Sequence, residues 1–390
     1  MAFLQISSQW IVIGSKLGID VFSKSNGKQL SHAHVFKSEQ QGQEIDCAVF
    51  SHQHNYFAAL FSDKTLHLWK VSEQWKELGV VDLKRRSTSL AFGPDEKMVY
   101  VADKSGDLYG FTLNDDGVFQ EDEQDPVLGH ISILLDIAVT PNLIITADRD
   151  EKIRISNRQH PYVIENFCLG HTEFVCRILL VGSEKLLSTS GDGTMRLWDS
   201  NTGSCIQTVE IFEMKNRNCD NVTVEKNMVP SLIAHCSTLG IVIVGCIGNG
   251  TNTLNMFQLH NSLTSPLKKV CNIPIDLTHA LVDLAFDTKP DESSSVLNLL
   301  IKTESALEVQ SFSCTETSCT KLENCNLPSS INAFLNKLDV NLDIRWNFYS
   351  QLYKATIPGH VYEVFYKKKE KNFKKEKNPS KKIKVDDTFI

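Results

Sequence analysis

The chain has 390 residues, 42% hydrophobic and 22% charged, with a formal net charge of −7. That balance excludes a largely disordered chain, a collagen and a coiled coil, while the length suits either two or three ordinary domains or one large repeat fold. The longest strongly apolar run, Leu239 to Ile247, is too short to cross a bilayer, no secretory leader is expected, and the eleven cysteines read as reduced thiols.

Taken in chain order, Phe3 to Ile13 reads as a strand, followed by a weak turn-and-strand unit in GSKLGIDVF from Gly14. Clearer units follow, each with an Asp six residues before an aromatic or its substitute: Asp63 to Trp69, Asp103 to Tyr109, and Asp150 to Ser156. The fourth and best is Leu186 to Trp198, LLSTSGDGTMRLW, where an apolar strand meets a Gly-Asp-Gly turn and a second strand ends on tryptophan. Glycine accepts positive φ there and Asp bonds the following backbone, as a hairpin needs. Weaker copies start at Gly248 (GNGTNTLNMF) and Thr303 (TESALEV). With Val21, Trp69, Tyr109, Ser156, Trp198, Phe257 and Val309 as register points, the gaps are 48, 40, 47, 42, 59 and 52 residues. Glu213 to Asn227 reads as a long polar loop, and Ser350 to Ile357 as a strand able to close a ring with the N-terminal one.

Seven such hairpin units, near the period of about 40–45 residues of a WD40 blade, predict an all-β, seven-bladed WD40-type β-propeller over residues 1–358. Gly170-His171 and Gly129-His130 precede Trp198 and Ser156 by similar distances, as the Gly-His signature of such blades requires. In the best unit His171, Asp192, Ser188 (or Ser190) and Trp198 are expected to form a buried hydrogen-bonded tetrad. Residues 359–390 form a C-terminal segment with a short amphipathic helix, from Val361, Val364 and Phe365, and a lysine-rich tail. Ten lysines and two glutamates between Lys367 and Lys384 leave an acidic body with a basic tail. Its lysines, with Lys367, Lys368, Lys369, Lys371, Lys374 and Lys375 foremost, fit either phosphate contact with a nucleic acid or nuclear import through Lys381-Lys382-Ile383-Lys384.

Constellations able to carry chemistry are sparse. Gly245, Gly248 and Gly250 lack the lysine and following helix of a phosphate loop and read as a hairpin turn. Cys314, Cys319 and Cys325 lack the paired C-x2-C spacing of zinc sites, and no metal or catalytic group is expected. A charged cluster in the third and fourth of the clear units stands out instead. Asp148, Arg149, Asp150 and Lys152 crowd one hairpin, and Glu173, Phe174 and Arg177 follow the next Gly-His. An aromatic among charges on neighbouring blades reads as a patch for a protein partner.

Beyond these requirements of the repeat, VADKSGDLYGF, TADRDEKIRIS, FCLGHTEFVCRI, STSGDGTMRLWD and SQLYKAT resemble one family. It is the WD-repeat, non-catalytic subunit of the eukaryotic tRNA (guanine-N7-)-methyltransferase. The resemblance is dense from residue 90 to 200 and recurs near 350–370, and Cys176 stands where relatives carry serine. It implies a propeller that holds a separate methyltransferase subunit, itself the binder of S-adenosylmethionine, as a heterodimer in the nucleus, with no cofactor of its own. That complex forms N7-methylguanosine in the tRNA variable loop. By position, the resemblance assigns Glu173, Phe174 and Arg177 to touching or buttressing the partner, with Arg177 acting from within by pairing to an acidic neighbour such as Asp148 or Asp150. Two other uses of such propellers remain open, a cullin-type ubiquitin-ligase substrate receptor and a peptide reader. The Trp-Asp-x-Arg box of the former is missing after Trp198-Asp199, where Ser200 and Asn201 follow.

Overall fold

The computed structural model describes residues 2–323, apart from 16–17, 31–43, 121–124, 213–227, 249–252, 261–265, 274, 276–279, 288–293 and 304–305, together with Ile331 and Leu335. The fold is a seven-bladed β-propeller. Seven antiparallel sheets follow one another along the chain, the first with three described strands and the other six with four each. The first strand of each blade packs against the first strands of both neighbours, so Phe3–Ile6, Ile45–Phe50, Ser87–Phe92, Leu134–Val139, Val175–Val181, Met228–Cys236 and Ala280–Asp287 ring the centre.

All seven register points lie in the third strand of their blades: Gly18–Ser23, Thr65–Lys70, Asp107–Thr112, Ile153–Asn157, Thr194–Asp199, Thr253–Leu259 and Leu307–Cys314. All seven are buried. The core is correspondingly divided into seven wedges, one between each pair of neighbouring blades. Strand periodicity explains the division, since successive side chains point to opposite sheet faces. In blade 5, Leu186 and Trp198 fill the wedge toward blade 4, while Leu187 and Leu197 fill the wedge toward blade 6. The ring closes where Ala2, Leu4 and Ile11 meet Val282, Leu300 and Val309, a wedge that Ile331 and Leu335 also enter. There Leu4 N donates to Asp283 Oδ2 at 2.9 Å.

One expectation is corrected at the N-terminus. Phe3 to Ile13 is not one strand but the start of a hairpin, Phe3–Ile6 paired with Trp10–Ser15. The polar Ser7-Ser8-Gln9 interrupts the apolar run, and Ser7 closes the turn by accepting from Trp10 N at 2.9 Å. The closing strand Ser350 to Ile357, the boundary at 358, the amphipathic helix, the basic tail and the loop 213–227 lie outside the described residues.

Candidate functional site

The expected tetrad is formed. His171, on the loop entering blade 5, has Nδ1 2.8 Å from Asp192 Oδ2 and Nε2 2.7 Å from Ser188 Oγ. Trp198 Nε1 donates to the same hydroxyl at 2.8 Å. Ser188 is thus the tetrad serine, and Ser190 Oγ donates instead to Glu173 O at 3.0 Å. Burial raises the pKa of Asp192, but bonds from His171 and Thr194 outweigh it and bring the group down to about 2. The imidazole is fully buried and both its nitrogens are engaged, so the four side chains tie the entering loop to the blade rather than face a substrate.

Blade 4 repeats the device with a shifted residue. His130 Nδ1 lies 3.0 Å from Asp148 Oδ2 and Nε2 lies 2.8 Å from Thr146 Oγ1. The spacing rule places Asp150 in that role, but the carboxylate used stands two residues earlier. Strand pairing aligns the two blades: Val175 opposite Ser190 matches Leu134 opposite Asp148, so Asp148 occupies the position of Ser190 and Asp150 that of Asp192. Ser156 takes the tryptophan position, and Arg154, two residues before it, donates to Ser156 Oγ at 2.8 Å and to Gly129 O at 3.2 Å. Burial lowers the pKa of Arg154. In blade 3 the register point also moves by two. Gly106 N closes on Asp103 O as Gly193 N closes on Ser190 O, so Phe111, not Tyr109, holds the place of Trp198.

Six of the seven residues expected at a partner interface fall into two layers. Asp148, Glu173 and Phe174 are buried. The Phe174 ring lies under Gly191, where an added Cβ would sit 2.6 Å from it, and Gly191 N donates to Phe174 O at 2.9 Å. Glu173 and Phe174 therefore buttress the turn of blade 5 from beneath. Arg149 and Asp150 are half-buried and Lys152 is exposed, so these three form the outer layer. Two exposed apolar residues that the sequence reading passed over join them. Ile131 is fully exposed on the loop entering blade 4, whose Ile133 O accepts from Arg149 N at 3.0 Å. Leu169 is 63% exposed and, since Cys168 pairs with Ile153, lies beside Lys152. Large exposed apolar side chains directly after or before a Gly-His are the signal that was available.

Arg177 belongs elsewhere. Its guanidinium lies 3.5 Å from Asp136 Oδ1, and its Nε donates to Ser231 O at 3.3 Å. Asp136 also accepts from Ser89 Oγ at 2.8 Å and from Ile178 N at 2.9 Å. These bonds run through the innermost strands of blades 3, 4, 5 and 6. Arg177 thus pairs with an acidic neighbour, Asp136, which the spacing did not single out, while Asp148 is bonded to His130. Cys176 is buried beside Arg177, and burial pushes its thiol well above the ordinary range. Asp136 was missed, although LLDIA from Leu134 and LVDLA from Leu281 repeat one pattern in which the Asp carboxylate receives the next blade's backbone N–H.

Residues 117–317 match the family model described as the tRNA methyltransferase TRM82 WD40 domain. The chain is 48% identical over 172 residues to the mouse tRNA (guanine-N(7)-)-methyltransferase non-catalytic subunit WDR4, covering 43% of this chain and 40% of that protein. The Xenopus laevis subunit is 39% identical over 250 residues (63% and 60%), and that of Danio rerio 35% identical over 274 (69% and 62%). The chain thus spans less than two thirds of the length of these relatives. Among solved structures, U3-55K superposes with a TM-score of 0.60 at 17% identity, over 76% of this chain and 87% of that one. A chain of the mitotic checkpoint complex gives 0.59 at 15% identity over 76% and 85%. These two likenesses concern the propeller fold alone.

Proposed function

The chain belongs to the tRNA methyltransferase TRM82 WD40 family, and from that premise we propose that it is the non-catalytic subunit of a tRNA (guanine-N7-)-methyltransferase. The observation that carries the reading is the name shared by its relatives, each a non-catalytic subunit of that enzyme. In this role the propeller binds the catalytic subunit and holds it in active form, while that subunit binds S-adenosylmethionine and methylates guanine N7 in the tRNA variable loop.

The docking surface is the rim of blades 4 and 5, with Ile131, Leu169, Arg149, Asp150 and Lys152 outward and Glu173 and Phe174 beneath. Apolar anchors inside a charged border have the composition of a binding hot spot. Arg177 acts indirectly, by fixing the inner strands on which these loops stand. The tail from Lys367 to Lys384 supplies phosphate contacts to tRNA and an import signal for the nucleus, both argued from its charge alone. The acidic remainder of the chain makes the tail and the catalytic subunit the places where tRNA is held.

Co-purification tests the reading. The wild-type chain should retain a methyltransferase subunit, and Leu169→Asp should release it without unfolding the propeller, because Leu169 is exposed. A wild-type chain that retains no methyltransferase, or cells lacking the chain with unchanged tRNA N7-methylguanosine, would overturn it. Lysine-to-glutamine changes in the tail should weaken tRNA binding at low salt and leave partner retention intact.

A further inference from the structure

The last described hairpin, in blade 7, places two thiols opposite each other. Leu307–Cys314 pairs with Cys319–Lys321 in the register Phe312 to Lys321, Ser313 to Thr320 and Cys314 to Cys319. Thr315 N donates to Ser318 O at 2.8 Å and Leu322 N to Ser311 O at 2.9 Å. Bonded and non-bonded pairs alternate along an antiparallel ladder, so Cys314 and Cys319 form a non-hydrogen-bonded pair, the kind whose Cα atoms approach to about 4.5 Å. That separation falls within the range of about 4.4–6.8 Å that a disulfide spans. Both cysteines are free thiols in the structure, with Cys314 buried and Cys319 half-buried.

We propose that Cys314 and Cys319 are an oxidative modification site, at which hydrogen peroxide converts the facing thiols into a reversible disulfide across the hairpin of blade 7. Cys319 is the sulfur that peroxide can reach. Its thiolate attacks one peroxide oxygen, the O–O bond breaks, and a sulfenic acid forms as hydroxide leaves and takes up a proton. The Cys314 sulfur then attacks the Cys319 sulfur, the S–O bond breaks, and the second oxygen leaves as water with the Cys314 proton. In sum two thiols give up two electrons to one peroxide, yielding one disulfide and two waters. A hydrogen bond to Cys319, and burial after it, hold the Cys314 pKa far above the ordinary thiol range. Cys314 is therefore a poor attacker of free peroxide. Its fixed place opposite the sulfenic sulfur compensates in the second step, since an intramolecular partner replaces a collision.

Two further thiols make the pairing specific enough to fail. Cys271, on the outer strand Leu267–Asn272 of blade 6, packs in the same apolar wedge as Cys319 and Cys314, as does Cys236. Oxidation through proximity alone would join Cys271 to Cys319 across blades; the ladder register favours the pair within the hairpin.

The test uses the purified full chain, treated with hydrogen peroxide and then alkylated. Cleavage after Glu316 separates Cys314 from Cys319 in sequence. The two fragments should stay joined until dithiothreitol is added, after which both cysteines become alkylatable. Cys314→Ser and Cys319→Ser should each abolish the linkage, and Cys271→Ser should preserve it. Fragments that separate without reductant, a Cys271–Cys319 linkage, or a Cys319 oxidised beyond recovery by dithiothreitol would each overturn the proposal.

Discussion

In blade 5 the turn between the second and third strands closes Gly193 N on Ser190 O, and in blade 3 Gly106 N closes on Asp103 O in the same way. The loops entering the two blades are matched too, because Val175 faces Ser190 as Ser87 faces Asp103. Upon this common backbone the side chains differ at every tetrad position. Leu83 stands for His171, Val101 for Ser188 and Phe111 for Trp198; Arg86 and Lys104 replace Phe174 and Gly191. Blade 3 nevertheless forms a complete four-stranded sheet. Ladder bonds and apolar wedges therefore suffice for a blade, and the buried polar chain is an addition that pins the entering loop. It appears intact in blade 5 and in altered form in blade 4, the two blades whose entering loops make the candidate docking rim. A loop held by charge-assisted bonds keeps its outward residues in place, which is what a binding surface requires.

The difference is broken most severely at Trp198. Trp198→Ala removes a fully buried ring and should cost about 3–5 kcal/mol in urea unfolding. Trp198→Phe keeps most of the burial and removes only the indole donor, for a loss of about 1 kcal/mol. If the two variants lose the same amount, the bond to Ser188 and not the ring holds the blade. Gly191→Ala comes next. A Cβ 2.6 Å from the Phe174 ring forces the turn outward, costing about 1–3 kcal/mol. Phe174→Leu added to it should recover part of that loss, while Lys104→Ala at the matching place in blade 3 should stay within about 0.5 kcal/mol of wild type. In a partner-retention assay Gly191→Ala should also weaken binding, since the displaced turn belongs to the rim.

Asp192 gives a pH signature that blade 3 lacks a histidine to produce. Its folded pKa of about 2 lies below the ordinary 3.8, so the ionised group stabilises the fold above that ordinary value. The contribution, roughly 2 kcal/mol, is lost as pH falls from 3.8 through about 2. Asp192→Asn should therefore be less stable than wild type at neutral pH, and the two unfolding curves should converge toward pH about 2. A gap that stays constant with pH would show that the asparagine disturbs the turn rather than the charge.

Blades with a full signature are legible in the sequence alone. His171, Asp192 and Trp198 read directly because each is the residue type that its buried bond requires, and seven units could be counted because hairpin turns recur every 40 to 59 residues. Where the signature decays, spacing misleads. In DRDEK the turn agrees with the spacing, since Glu151 at φ 74° matches Gly193 at 83° and so aligns Asp150 with Asp192, yet it is Asp148 that His130 engages. In DKSGD the aspartate opens the turn instead of occupying its third place, which shifted the aromatic assignment from Phe111 to Tyr109. The pairing of Arg177 with Asp136 was out of reach for a different reason. It joins two blades through strands 41 residues apart in sequence, and a repeat pattern describes each blade without its neighbour.

The smallest expected effect sharpens the comparison from the side of blade 3. Asp103 Oδ1 accepts from Ser105 N at 2.7 Å and Asp107 N at 3.0 Å, but Oδ2 is buried with no hydrogen-bond partner among the described residues, as is Ser87 Oγ. Both line a small pocket with Leu83, Arg85, Val101 and Tyr109, at the place where His130 and His171 sit in the following blades. Leu83→His should bring an imidazole nitrogen to Asp103 Oδ2, as His130 reaches Asp148. Val101→Thr supplies the hydroxyl that Thr146 and Ser188 give to the second nitrogen, so the double variant leaves no ring nitrogen unsatisfied. Satisfying a buried carboxylate oxygen is worth about 1 kcal/mol, against the lost burial of one leucine. The double variant should thus be slightly more stable than wild type, with Leu83→His alone below it. If the double variant is the less stable of the two, the pocket in blade 3 is better served by water than by a histidine, and the tetrad cannot be moved between blades side chain by side chain.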